Sequence, residues 1–253
     1  MNTASFKAYI EVVRRLRKDC PWDREQTPES LRESFLEEAY ETIEAITEKK
    51  WGELESELGD ILLHVVMQSI IAEESNRFTL EDVITASTRK LIRRHPHVFG
   101  DATADNAAHV KANWEKLKRA EGRSSALDGV PKELPALLRA HRLQDKASKV
   151  GFDWKHRNEV WAKVDEEIVE LKEAITAESG GKIEEEFGDL LFALANFGRF
   201  LSVNPEIALQ RTNEKFRRRF QFIEQALERE GKAPERVSLE EMDALWVKSK
   251  AVL

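Results

Sequence analysis

Residues 37–62, EEAYETIEAITEKKWGELESELGDIL, recur 129 positions later as residues 166–191, EEIVELKEAITAESGGKIEEEFGDLL, with thirteen of the 26 positions identical and no gap. The shared residues are not a random sample. Glu37, Glu38, Glu41 and Glu44 fall on Glu166, Glu167, Glu170 and Glu173, and Ala45-Ile46-Thr47 falls on Ala174-Ile175-Thr176. Gly52, Glu55, Glu57, Gly59, Asp60 and Leu62 then fall on Gly181, Glu184, Glu186, Gly188, Asp189 and Leu191. Downstream, Lys90 and Arg94 match Lys215 and Arg219 at an offset of 125, and Trp114 and Lys118 match Trp246 and Lys250 at an offset of 132. A period this long is not a solenoid unit. It is a duplicated helical domain.

The rest of the chain agrees. Leu36, Ala39, Tyr40, Ile43 and Ile46 follow the three–four spacing of a helix stripe and predict a helix over Leu31–Glu48. Further helices are predicted from Gly52 to Ser75, from a cap at Thr79-Leu-Glu-Asp82 to Arg94, and over Asn106–Glu121, Ala136–Lys149, Asn158–Ala177, Lys182–Leu201, Pro205–Arg229 and Leu239–Val252. Pro96 breaks the third of these. Asn204-Pro205 reads as a cap followed by proline at the first helical position, and Ser238-Leu-Glu-Glu241 as a capping box. No period-2 strand is found, so the fold class is all-α. The segment GRSSALDGVPKELP (122–135) concentrates Gly, Ser and Pro and predicts a linker between domains at 1–121 and 136–253.

Composition bounds the function. Of the 253 residues, 34% are charged and 41% hydrophobic, with only 11 Gly and 7 Pro, a soluble helical profile. No apolar stretch reaches the roughly 18 residues of a transmembrane helix. The N-terminus turns charged too early for a signal peptide, so a cytoplasmic location is expected. The single Cys20 allows neither an internal disulfide nor a cysteine-based zinc site. A net charge of −7 argues against stable nucleic-acid binding. It leaves open an anionic substrate bridged to carboxylates by a metal ion.

Each half carries Glu-x-x-Glu on one helix and Glu-x-Gly-Asp at the start of the next: Glu38/Glu41 with Glu57/Asp60, and Glu167/Glu170 with Glu186/Asp189. A spacing of three puts each pair on one helix face, and a short turn would bring both pairs together. Like charges so close are destabilising unless something neutralises them. Each acidic pair opens an apolar run, Ile61 to Met67 or Leu190 to Ala195, that should be buried. Gly59 and Gly188 stand beside the acids, where glycine costs about 1 kcal/mol against alanine, suggesting close packing or room for a ligand. An all-oxygen set on facing helices suits Mg²⁺, with Mn²⁺ as a substitute. A di-iron bundle would need Glu-x-x-His motifs, which are missing.

Cations complete the pattern. Lys215 shares a helix face with Arg219, in a run that also contains Asn213, and Trp246 with Lys250 can stack a base and meet a phosphate. Arg89, Lys90, Arg93 and Arg94 are similar in the first half. Lys182 precedes the second acidic pair, where the first half has Glu53. His64, His95 and His97 are left out of the metal set.

Several stretches resemble the MazG family of nucleoside triphosphate pyrophosphohydrolases: Cys20-Pro-Trp-Asp-Arg-Glu-Gln-Thr27, Leu36–Glu41, Glu57–Leu63, Arg93-Arg-His-Pro-His-Val-Phe99, Gly151-Phe-Asp-Trp154, Glu186–Phe192 and Asn213–Phe220. The likeness covers nearly the whole chain. It implies tandem MazG-type all-α domains whose four-helix-bundle-like active sites form on homodimerisation. It also implies Mg²⁺-dependent cleavage of NTPs and dNTPs to monophosphate and pyrophosphate, in nucleotide-pool house-cleaning or stress response. The metal would sit on Glu167, Glu170, Glu186 and Asp189, and on Glu38, Glu41, Glu57 and Asp60 in the first half. The resemblance implies the second half as the main catalytic site, and that half keeps Lys182, Asn213 with Lys215 and Arg219, and Trp246 with Lys250, where the first half has Glu53 in place of Lys182. Thr88 stands at the place of Asn213 in the first half. Water would attack the α-phosphorus, oriented or deprotonated by Glu167 or Glu170, while Lys182, Lys215 and Arg219 neutralise the phosphates. The alternatives are a noncatalytic nucleotide-sensing or protein-binding helical module, and a base-specific dUTP or dCTP pyrophosphatase.

Overall fold

The computed structural model of the protein describes residues 3–104, 106, 110 and 125–252. Among them every regular element is a helix. The chain divides into two compact units, Met1–Val110 and Lys111–Leu253. The predicted helix over Asn106–Glu121, with Trp114 and Lys118, lies almost wholly outside the described residues, as does the predicted domain junction at 121/122.

The first unit holds α1 (Thr3–Asp19), α2 (Pro21–Glu25), α3 (Arg32–Glu48), α4 (Trp51–Glu74), α5 (Leu80–Arg94) and α6 (Pro96–Phe99). The sequence reading passes over α1 and α2, yet α1 supplies part of the core. Phe6, Tyr9, Ile10 and Val13 stand at i, i+3, i+4 and i+7, the signature of an amphipathic helix. Val13 is buried with Leu31, Val66, Met67, Ile70, Ile71 and Leu80, and Phe6, Tyr9, Ile10 and Leu63 pack around that cluster. Arg17 ties α2 to this frame. Its Nη1 donates to the carbonyls of Asp23, Arg24 and Gln26, and its Nε and Nη2 donate to Glu74 at the end of α4. Carbonyls at the end of a short helix thus find a partner that the helix cannot supply.

The second unit holds α7 (Ala136–Ser148), α8 (Arg157–Thr176), α9 (Gly180–Phe200), α10 (Pro205–Arg229) and α11 (Leu239–Val252), with a 3₁₀ turn at Pro234–Arg236. Helix α9 packs mainly on α8 and also on α7, while α10 packs on α11. Val160 and Val164 of α8, Ala193 and Ala195 of α9, and Ile223 and Leu227 of α10 are buried.

The duplication extends to backbone conformation. Helix α3 ends at Lys49 (φ 58°) and α8 is followed by Glu178 (φ 51°), the matched position, both in the left-handed region. The amide after each closes on the matched carbonyl: Lys50 on Ala45 at 2.9 Å, Ser179 on Ala174 at 3.3 Å. This is the Schellman closure, here made without glycine. The next turn repeats too, with Asn76 and Ser202 left-handed, Arg77 closing on Ala72 and Val203 on Gly198. The offset has by then dropped from 129 to 126, because α4 has 24 residues and α9 has 21.

Caps fall where the sequence placed them. Thr79 and Asp82 form a reciprocal capping box at α5. The Asn204 side chain accepts from the amides of Glu206 and Ile207 ahead of α10, and Ser238 accepts from the Glu241 amide. Thr79→Ala removes one half of the α5 box and is expected to lower stability by about 1 kcal/mol, read as a lower urea midpoint with an unchanged slope.

One expectation fails. The apolar run after Asp189 is not buried within this chain: Leu191, Phe192 and Leu194 are all two-fifths or more exposed, as is Phe187 just before it. Only Ala193 and Ala195 of α9's apolar residues go inside. In α4, Leu58, Leu62 and Val65 are likewise exposed, and burial begins with His64 and Val66. The neighbouring helices of the same unit leave these side chains uncovered.

Candidate functional site

In the second unit, α8 and α9 run back to back from the 177–179 turn, so the third turn of α8 from its end meets the second turn of α9. Carboxylate oxygens of Glu167, Glu186 and Asp189 all lie within 4.8 Å of one another. Glu167 and Glu186 are buried, at 5% and 7% exposure, and Asp189 is exposed. Glu170, one turn after Glu167, is half-buried and lies outside this tight group. Partial desolvation, followed by the negative charge of Glu186, pushes its carboxyl above the usual range.

The glutamate at the centre is half satisfied. Lys163, one turn before Glu167 on α8, reaches Glu167 at 2.8 Å and Glu166 at 2.6 Å. These two carboxylates hold the lysine's ammonium well above its ordinary range. The second oxygen of Glu167, Oε2, is buried without a hydrogen-bond partner. A buried carboxylate oxygen with no partner is costly, and an oxygen-loving divalent cation is a natural acceptor of its lone pairs. The sequence reading missed Lys163. Its signal was the same half-to-half difference that singled out Lys182, for Ser34 occupies the matched position. Lys182 itself stands 3.6 Å from Glu186 with its side chain 60% exposed, at the rim.

An added Cβ at Gly188 or at Gly59 meets no heavy atom within 4 Å. Close packing is therefore not the reason for these glycines, and open space beside the acids is what the structure supplies.

In the first unit, Glu38, Glu41 and Glu57 come within 4.8 Å of one another, with Asp60 outside the tight group. No lysine takes the place of Lys163 or Lys182. Instead the Glu38 and Glu57 carboxyls are both raised, by desolvation first and by the neighbouring acids next, Asp60 for Glu38 and Glu41 for Glu57. His64 is buried, and burial pushes its ring below the ordinary histidine range; its ring packs edge-on to Phe35.

The basic residues of α10 sort themselves by partner. Glu214 takes Arg217 and Arg218 at 2.7 Å each, and this pairing pulls its carboxyl down to about 2. Asn213 and Lys215 are exposed. Arg219 lies over the Trp246 ring of α11, 5.5 Å from its centre, with its Nε buried and without a hydrogen-bond partner. Lys250 is exposed one turn after Trp246. The acids on α8–α9 and the cations on α10–α11 thus belong to one unit. Among the described residues no helix is long and apolar enough to cross a membrane.

Similarity to other proteins fits this geometry. The description "MazG nucleotide pyrophosphohydrolase domain" matches twice, over residues 26–99 and 156–221, which hold both acid clusters and Asn213, Lys215 and Arg219. The chain is 44% identical to a nucleoside triphosphate pyrophosphohydrolase/pyrophosphatase MazG of Thermotoga maritima, over 97% of this chain and 95% of that one. It is 41% identical to a nucleoside triphosphate pyrophosphohydrolase of Escherichia coli K12, over 95% of each. It is 46% identical to the uncharacterized protein YabN of Bacillus subtilis, over 97% of this chain and 51% of that one. With two such domains and relatives along nearly its whole length, the chain belongs to the MazG nucleotide pyrophosphohydrolase family.

Proposed function

We propose that the protein is a Mg²⁺-dependent nucleoside triphosphate pyrophosphohydrolase, cleaving NTPs and dNTPs to the monophosphate and pyrophosphate at the Glu167–Glu186–Asp189 site. The observation that carries this reading is the unpartnered, buried Oε2 of Glu167 inside a cluster of three carboxylates. The hard oxygen set fits Mg²⁺, and Mn²⁺ in its place. Glu167, Glu186 and Asp189 would hold the metal, joined by Glu170 one turn after Glu167. When bound, the metal lowers the pKa of an attacking water and offsets phosphate charge.

The chain's own residues do the rest. Water adds its oxygen to the α-phosphorus, the bond from that phosphorus to the bridging oxygen breaks, and pyrophosphate leaves. Glu170, one turn after Glu167 and outside the tight group, accepts the water's proton. Lys182 at the rim and Lys215 and Arg219 on α10 meet the phosphate oxygens. Asn213 and Lys250 add polar contacts at the edges of that surface. Lys163 keeps Glu167 turned so that Oε2 stays free for the metal.

The exposed apolar side of α8 and α9, including Val169, Phe187, Leu191, Phe192 and Leu194, supports a homodimer in which a second copy covers it. The substrate is free nucleotide rather than a nucleic-acid strand, in line with the net charge of −7. The setting is nucleotide-pool house-cleaning or stress response in the cytoplasm.

Incubating the protein with a mixture of NTPs and dNTPs tests the reading. Pyrophosphate is expected with Mg²⁺ and none after EDTA. Tight nucleotide binding without pyrophosphate would instead mark a noncatalytic sensor.

A further inference from the structure

We propose that a cleft in the first unit, between the ends of α1 and α4, binds a diphosphate or triphosphate group through Lys18, Arg24 and the free edge of Arg14. This site is independent of the pyrophosphohydrolase reading above.

The cleft has a volume of about 530 Å³ and is lined by four cations, Arg14, Arg17, Lys18 and Arg24, and by two acids, Glu73 and Glu74. The acids stand at the end of α4, where the helix dipole disfavours negative charge, and each has its own arginine. Nη2 of Arg14 donates to Glu73 at 2.6 Å. Arg17 gives Nε and Nη2 to Glu74 and Nη1 to three carbonyls, so its guanidinium is fully engaged. Lys18 and Arg24 are exposed, and neither side chain has a partner among the described residues. The cleft thus carries two unbalanced positive charges in a chain whose net charge is −7. Arg14 and Lys18 also stand four apart on one face of α1, a like-charged pair that weakens a helix unless an anion sits between them.

The second unit builds the same frame without this charge. Helix α1 ends four residues before Asp23 and α7 ends five before Asp153. Each aspartate follows an exposed ring, Trp22 or Phe152. At the offset of 130 that joins them, Arg14, Arg17, Lys18 and Arg24 fall on Gln144, Ala147, Ser148 and Trp154. At the offset of 126 that holds at the ends of α4 and α9, Glu73 and Glu74 fall on Arg199 and Phe200. The helix pair therefore does not need four cations at this place, and the first unit alone has them.

The donors select the ligand class. A guanidinium fork and an ammonium are matched by phosphate oxygens. Two unbalanced charges call for a dianion or more, and the volume lies within the roughly 300–1,000 Å³ of small-molecule sites, more than one phosphate fills. The occupant is free pyrophosphate or the phosphate tail of a nucleotide. Glu73 lies thirteen residues after Asp60 on α4, about 20 Å along the helix at 1.5 Å per residue. A metal ion on the first-unit acids is out of reach from there, so the cations alone hold the anion.

Calorimetric titration of the full-length protein with pyrophosphate and with ADP tests this. EDTA is kept present, because without a cation the acid clusters repel both ligands. The wild type is expected to bind pyrophosphate, and Lys18→Ala and Arg24→Ala each to weaken it about tenfold, the loss of one charge-assisted hydrogen bond. Both side chains are exposed, so the variants keep the fold. Glu73→Gln frees Arg14 from its carboxylate and is expected to bind more tightly. ADP binding that falls in the same variants assigns the phosphate tail of a nucleotide to the cleft, whereas ADP that does not bind leaves pyrophosphate as the ligand. A wild type that binds neither anion overturns the proposal, as does equal affinity in Lys18→Ala and Arg24→Ala. Weaker binding in Glu73→Gln does the same, and a loss in Lys215→Ala instead would move the anion to α10.

Discussion

Asp189→Ala is expected to cut pyrophosphate release by about 10²–10³-fold, the scale on which a single charge-stabilising group acts in an active site. Asp189 is exposed and on the third turn of a helix, and alanine is a better helix former than aspartate. The far-ultraviolet circular dichroism should therefore stay as in the wild type, which separates lost chemistry from lost fold. Glu170→Ala is expected to behave the same way. The first unit supplies the control: Glu41→Ala and Asp60→Ala remove matched acids from a cluster that has no Lys163 or Lys182 beside it, and should cost much less. Near-normal rates in both Asp189→Ala and Glu170→Ala would remove the second unit from consideration as the working site. An equal loss in Asp60→Ala would move the chemistry to the first.

Leu227→Ala is expected to lower stability by about 2–5 kcal/mol, the range for emptying a leucine-sized space in a core that cannot collapse around it. Leu227 has 0% exposure, near the end of α10, which packs on α7 and α11. Chemical denaturation with the change in midpoint resolved against the change in slope is the measurement. The stability loss should be accompanied by weaker nucleotide binding, because α10 carries Lys215 and Arg219. A stability change under 1 kcal/mol would mean that α10 repacks freely and does not hold these groups rigidly.

The sequence showed most of the fold because the duplication doubled every signal. The span of α10 from Pro205 to Arg229 was readable to the residue, since Asn204 and Pro205 fix its start chemically. Helix α1 was equally readable from Phe6, Tyr9, Ile10 and Val13, but it lies outside the most similar stretch. The site was legible as residue types and spacing, not as partners. Nothing in the order of residues says that Glu214 takes Arg217 and Arg218 and leaves Lys215. Nor does it say that Arg219 settles on Trp246, because those choices are made by rotamers competing within a few ångströms. Whether an apolar run is buried also depends on what lies across from it, so the spacing of Leu191, Phe192 and Leu194 could mark a greasy surface without saying what covers it.

The three-residue difference in length between α4 and α9 bears on any attempt to recombine the two halves. Up to Lys49 and Glu178 the copies are in phase, and a crossover joined there would continue each ridge of side chains without a break. Removing three residues further on shortens the rod by about 4.5 Å and leaves the following segment about 60° short of a full rotation. A chimera spliced past that point would present its cationic helix at the wrong azimuth, with the acids intact and nothing opposite them.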